Sequence, residues 1–147
     1  MSYTVYMSGE IHTDWRDAIR KGTEALGLDI RYLAPVTDHP ASDAAGDHLG
    51  EQSDSFWRDH QSSKVNLIRT KGMIEQADLV IIRFGDKYKQ WNAAFDAGYC
   101  AALGKPYITL HAEDIIHPLK EVDASALAWA KTNEQVIETL KYVLKAV

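Results

Sequence analysis

The chain has a single cysteine, Cys100, so it cannot close a disulfide within itself, and a reducing compartment is the expected setting. It also lacks basic excess. Lys and Arg number 16 against 21 Asp and Glu, a net charge of −5, which removes the footprint expected of a protein that grips nucleic-acid polymers. No apolar run approaches the length of a membrane span. Met1-Ser2-Tyr3 leads into an apolar stretch too short for a signal sequence and without a basic flank, so a cytoplasmic protein, away from membranes, is expected. There is no GxxxxGK[ST] loop and no GxGxxG turn, which excludes P-loop and dinucleotide-binding readings. The six histidines, His12, His39, His48, His60, His111 and His117, form no HExxH motif and no close pair with cysteine. Neither a metal nor a cofactor is therefore expected.

What is present suits one domain spanning residues 1–147. The chain is 46% apolar and 25% charged, long enough to bury a core without staples, and free of repeats and low-complexity tracts. Tyr3–Met7 reads as a strand broken by Ser8-Gly9-Glu10. Thr13 or Asp14 can cap a helix that carries Trp15, Ala18, Ile19 and Leu26 inward and stops at Gly27. Leu28–Leu33 is a second strand. Ala34 to Ser53, with two prolines and several aspartates, is the least regular part; a functional loop and a solvated insertion fit it equally. Ser55 to about Gln76 is helical, with Val65, Ile68 and Met73 on the buried side and a break near Ser62-Ser63. Asp78–Phe84 is a near-continuous β-branched run, as a central parallel strand requires. A helix from about Tyr88 to Leu103 follows, then a strand at Tyr107–Leu110, a helical turn at Leu119–Val122, a short edge strand at Leu127–Ala130, and a last helix opened by the Thr132-x-x-Gln135 capping box.

Strands alternating with helices pair in parallel through right-handed crossovers. The expected architecture is α/β: a flavodoxin-like, doubly wound, five-stranded parallel sheet of order 2-1-3-4-5 in a three-layer sandwich. Ligands of such sheets bind beyond the carboxyl ends of the strands. That rule singles out Ser8 to His12, Val36 to His39, Phe84 to Asp86, and His111.

The segment Trp91–Ala102 carries apolar and small residues on nearly every side, which predicts a well-buried helix. Asp96 sits inside it, and a carboxylate there is costly to bury unless it is paired or hydrogen-bonded. Asn92, one turn earlier, can orient it; an ion pair with Arg83 or Arg69 is the structural alternative. Cys100 reads as core. Two runs, Phe56-Trp57-Arg58-Asp59-His60 and Arg83 to Trp91, combine aromatic faces with cations, the chemistry of planar or anionic ligands. Lys87 and Lys89 read as solvated, and Trp91 as core or crevice wall.

Three blocks resemble the nucleoside 2-deoxyribosyltransferase family: Tyr6-Met7-Ser8-Gly9, Ala77-Asp78-Leu79-Val80-Ile81, and Ala94-Phe95-Asp96-Ala97-Gly98-Tyr99-Cys100 continuing to Gly104-Lys105-Pro106. The chain as a whole resembles the YtoQ family, a branch of that superfamily. The resemblance implies cleavage of an N-glycosidic bond in a small-molecule nucleoside or nucleotide, and a homo-oligomer, dimer or larger. By position it makes Asp96 the nucleophile and Tyr6 its orienting group, with Ser8 and Gly9 lining the sugar pocket. Glu10, Asp86 or an edge histidine is left to protonate the leaving base, and Gln90, Trp91 and Asn92 are expected among the substrate-binding residues. Several positions depart from the family pattern: Trp91 and Asn92 replace small residues, and Arg69-Thr70 stands near an acidic family position before the Ala77-Asp78 strand. Aspartate stands where the family has glutamate, and Gln90 falls on its base-recognising aspartate. The alternative is therefore a nucleotide-binding or sensing protein of the same fold without turnover.

Overall fold

A computed structural model describes residues 2–145. Five parallel strands form one sheet in the order β2-β1-β3-β4-β5, as the alternation predicts. The strands are β1 (Tyr3–Gly9), β2 (Ile30–Leu33), β3 (Leu79–Arg83), β4 (Tyr107–Leu110) and β5 (Ala128–Ala130). The helices are α1 (Trp15–Ala25), α2 (His39–Asp43), α3 (Ser55–Gln76), α4 (Trp91–Leu103), α5 (Lys120–Ser125) and α6 (Asn133–Leu144).

Period-two alternation along the strands splits the core into two layers. Val5, Met7, Leu79, Ile81, Ile108 and Leu110 pack with Trp15 and Ile19 of α1 and Val136 and Leu140 of α6. Tyr6, Val80, Ile82 and Tyr107 face the other way, against Met73 and Ile74 of α3 and Ala93, Ala97 and Cys100 of α4. Strand β3 is buried on both faces because its residues are apolar at every position up to Arg83.

Strand β1 runs two residues beyond its sequence prediction. Ser8 and Gly9 stay in the sheet because they pair in register with Ile82 and Arg83. Both residues therefore reach the carboxyl edge as fixed strand positions. The crossovers after β1 and β3 leave the sheet toward opposite faces, which opens a crevice between the two strand ends.

Three expectations are corrected. Helix α3 is continuous, without a break at Ser62-Ser63: the Ser62 hydroxyl donates to Asp43 O at 2.7 Å and accepts from Gly46 N at 3.1 Å, so it anchors the preceding loop. Ile68 is 76% exposed, since only the last turns of α3 reach the sheet. Helix α4 is buried on one face only; Trp91 is 72% and Phe95 53% exposed, because the sheet covers the stripe of Ala93, Asp96, Ala97 and Cys100 and nothing among the described residues covers the other side. Among the described residues, no helix is long and apolar enough to cross a membrane.

Candidate active site

The centre of the crevice is a carboxylate held by a hydroxyl. Ser8 Oγ donates to Asp96 Oδ2 at 2.6 Å, joining the end of β1 to the second turn of α4. Ser8 is fully buried and Asp96 is 9% exposed. Asn92, which spacing offered as the orienting group, is exposed, and Ser8 fills that part. Neither proposed ion pair forms: Arg69 donates to Ala34 O at 3.2 Å, and Arg83 approaches Glu10 instead. Burial raises the Asp96 pKa to about 6, and the Ser8 hydrogen bond partly opposes the rise. Tyr6 lies in the same buried layer. Its phenol is pushed well above the usual range, first by burial and then by the Asp96 charge.

Ser8 has a readable role in that balance. Ser8→Ala removes the group that favours the ionised carboxylate, so Asp96 moves further up. Any activity that needs the carboxylate should lose rate on its acid side at a higher pH than in the wild type. A pH–rate profile checks this, and an unshifted acid limb contradicts it.

The β1–α1 turn forms one wall. Arg16 is buried, and all three guanidinium nitrogens donate to carbonyl oxygens: Nε to Met7 at 3.0 Å, one terminal nitrogen to Glu10 at 2.7 Å, the other to Gly9 at 3.1 Å. Its carbon sits 4.6 Å from the Trp15 ring centroid, and Trp15 Nε1 donates to Glu10 O at 2.8 Å. Burial lowers Arg16 to about 10, so it remains a cation at neutral pH. Sequence reasoning missed this residue, since an arginine on an amphipathic helix reads as solvated.

Glu10 is also buried and fully occupied. Its carboxylate accepts from the backbone nitrogens of His12 and Thr13 and from the Thr13 hydroxyl. Burial pushes Glu10 up, but these bonds and the Arg83 charge outweigh it, and the net shift is downward. Gly9 carries φ = 104°, and a Cβ there would stand 2.1 Å from Arg83 O.

The β3–α4 connection forms the opposite wall. Gln90 Oε1 accepts from Gly85 N at 2.9 Å, closing the loop on itself. A Cβ on Gly85 would meet Glu10 Cγ at 2.6 Å, so the two walls touch there. Across the mouth, the His12 and Tyr88 rings lie 4.8 Å apart at 51°. Asp86, Trp91, Lys87 and Lys89 are exposed, the lysines over the Tyr88 and Trp91 rings. The predicted site residues thus divide. Tyr6, Ser8 and Asp96 are brought together, Gly9, Glu10 and Gln90 frame them, and Asp86, Trp91 and Asn92 lie outside on the surface.

The other candidates lie apart. His111 is buried with Nε2 on Asp123 at 2.9 Å and Nδ1 on Ala112 O at 2.7 Å, tying β4 to α5. His39 pairs with Asp43 on the surface. Phe56, Trp57 and His60 cluster with one another at the exposed start of α3, where Arg58 grips Asp47 at 2.8 and 3.0 Å. A cavity of about 740 Å³ lies at the opposite, amino edge of the sheet, lined by Tyr3, Asp29, Gln76 and Asp78 among others. Asp78 there is spent on the backbone of Thr4 at 2.8 Å. The buried Ser8–Asp96 pair thus stands apart from these, at the carboxyl edge.

Residues 6–144 match the family described as "Nucleoside 2-deoxyribosyltransferase YtoQ". The chain belongs to this family. An uncharacterised YtoQ protein of Bacillus subtilis (strain 168) is 40% identical over 146 residues, covering 99% of each chain. Among solved structures, a conserved protein from Enterococcus faecalis V583 superposes with a TM-score of 0.67 at 13% identity, covering 98% of this chain and 100% of that one. A 2-deoxyribosyltransferase from Bacillus psychrosaccharolyticus does so with 0.52 at 17% identity, covering 93% and 95%. At such identities the structural likeness establishes the fold. The YtoQ match itself spans every residue from Tyr6 to Asp96 described above.

Proposed function

We propose that this YtoQ-family protein cleaves the N-glycosidic bond of a nucleoside or nucleotide, with Asp96 as the nucleophile. The observation that carries the reading is a buried carboxylate at the switch point, raised to about 6, whose hydrogen-bond partner is a single hydroxyl and which makes no ion pair among the described residues. Such a group is ionised at neutral pH, and little holds it back from an electrophilic carbon. In the first step a carboxylate oxygen bonds to the anomeric carbon while the C–N bond breaks with its electron pair going to the base. The base leaves with a proton from an acid at the crevice. Water, or a second base, then attacks the glycosyl ester and restores the carboxylate.

Tyr6 and Ser8 orient Asp96 from β1. Glu10 is unsuited to be the acid, because three donors hold it ionised. His12, exposed at the mouth against Tyr88, is the better candidate. Cytoplasmic location fits a chain whose one cysteine is buried and free. The homo-oligomer expected from the resemblance fits the uncovered apolar residues Ile68 on α3 and Trp91 and Phe95 on α4.

A second reading, binding without turnover, is favoured by Gln90, which offers no acid and is engaged with Gly85 N. Incubation with a panel of nucleosides and nucleoside 5′-monophosphates, read by chromatography of the free base, decides between them. Base release is the expected result. Thermal stabilisation by panel members without any base release would instead establish the binding reading.

A further inference from the structure

Arg83 has no part in the reaction just described, yet it stands at the same crevice. It is the last residue of β3, directly opposite Gly9 in the register. Its side chain is only 21% exposed, and Nε is buried with no hydrogen-bond partner among the described residues. The nearest opposite charge is Glu10 Oε2 at 3.6 Å, beyond hydrogen-bond length, and that carboxylate already accepts from His12 N, Thr13 N and Thr13 Oγ1.

A guanidinium presents a planar fork of five donors, which matches the oxygens of a phosphate or carboxylate. A buried N–H without an acceptor is unfavourable by the desolvation of that group. Glu10 and Arg83 line the α1 side of the switch point, while Ser8 presents Asp96 on the α4 side. The two groups thus flank the same strand ends at the crevice, where β1 and β3 pair at Gly9 and Arg83. The loop above it adds two exposed lysines, Lys87 and Lys89, against one aspartate, Asp86, in a chain whose overall charge is −5. The field at the mouth is thus more positive than that of the protein as a whole.

We propose that Arg83 receives the phosphate of the substrate, which makes the substrate class a nucleoside monophosphate in preference to a free nucleoside. This rests on the glycosidic reading for the placement of the sugar at Asp96. The Arg83 fork binds two phosphate oxygens, and Glu10, 3.6 Å away, holds the guanidinium in place rather than neutralising it through a hydrogen bond.

The test compares the wild type with Arg83→Gln and Arg83→Lys, using nucleosides, the matching 5′-monophosphates and inorganic phosphate as probes. Base release from the monophosphates should exceed that from the nucleosides by about 100-fold in kcat/KM, and Arg83→Gln should remove that preference by lowering the monophosphate rate far more than the nucleoside rate. Arg83→Lys should fold like the wild type and recover part of the preference through charge alone. Equal rates on both substrate classes, or an equal loss on both in Arg83→Gln, overturn the assignment and make Arg83 structural. Thermal shift separates this inference from the reaction. If no base is released but monophosphates stabilise the wild type and not Arg83→Gln, the phosphate site stands and the glycosidic reading falls. If base is released and inorganic phosphate and monophosphates give no Arg83-dependent shift, the reading stands and the phosphate site falls.

Discussion

Asp96→Asn should abolish base release and, at pH 7.5, make the protein more stable than the wild type. The folded protein holds Asp96 at a pKa of about 6, above the ordinary 3.8, with burial as the cause. The fold thus prefers the protonated acid. The stability this contributes is complete below about pH 4 and is lost as the pH rises through about 6. Above that, the ionised carboxylate is a net burden on the order of 3 kcal/mol. Asparagine is neutral at every pH and its oxygen can still accept from Ser8. A gain of about 1–3 kcal/mol is expected at pH 7.5, with none at pH 4, where the wild-type acid is already neutral. Denaturant unfolding at both pH values measures it. Loss of the nucleophile should lower the rate by about 10³-fold or more. An Asp96→Asn protein as active as the wild type would sink the nucleophile assignment, and one destabilised at pH 7.5 would contradict the account of its burial.

Gly9→Ala should be among the most damaging single changes available to the fold. The residue sits at φ = 104°, where a Cβ is strained whatever the space, and the added atom would stand 2.1 Å from Arg83 O and 3.0 Å from Arg83 N. The obstacle is backbone of the neighbouring strand, so no side chain can swing away. Relief requires β1 and β3 to part at the very residues that present Ser8 and Arg83. A loss of about 3–5 kcal/mol is expected. A midpoint shift well below that in urea would mean the strand ends yield more easily than their pairing suggests.

The sheet was legible because its signals are local. Leu79–Arg83 is apolar at successive positions, and Gly104-Lys105-Pro106 stops α4 where the chain must turn. Alternation with helices then leaves few orders open, and 2-1-3-4-5 is the one observed. Asp96 was legible as an acid in an apolar helix inside a recognisable block. Its partner was not. Helical spacing pointed to Asn92, whereas Ser8 lies 88 residues away in the chain and meets Asp96 only because β1 continues to Gly9. Apolar residues around all of α4 predicted burial on every side, but periodicity does not say which side the sheet takes. Trp91 and Phe95 fell on the other. Arg16 was missed for a related reason. Its burial is decided by the three carbonyl oxygens of the turn before it, and the pattern of its own helix carries no trace of them.

Those three oxygens give the crevice two unlike halves. On the first crossover, one cation has already answered the carbonyls that could otherwise reorient, so that half meets an incoming molecule in its final shape. Loop 85–90 is exposed from Asp86 to Lys89 and is held chiefly by the Gln90–Gly85 clasp and the His12–Tyr88 ring contact. Adjustment to a guest therefore falls to one side. Under the glycosidic reading proposed above, discrimination among sugars would belong to the stiff half and tolerance of different bases to the yielding one.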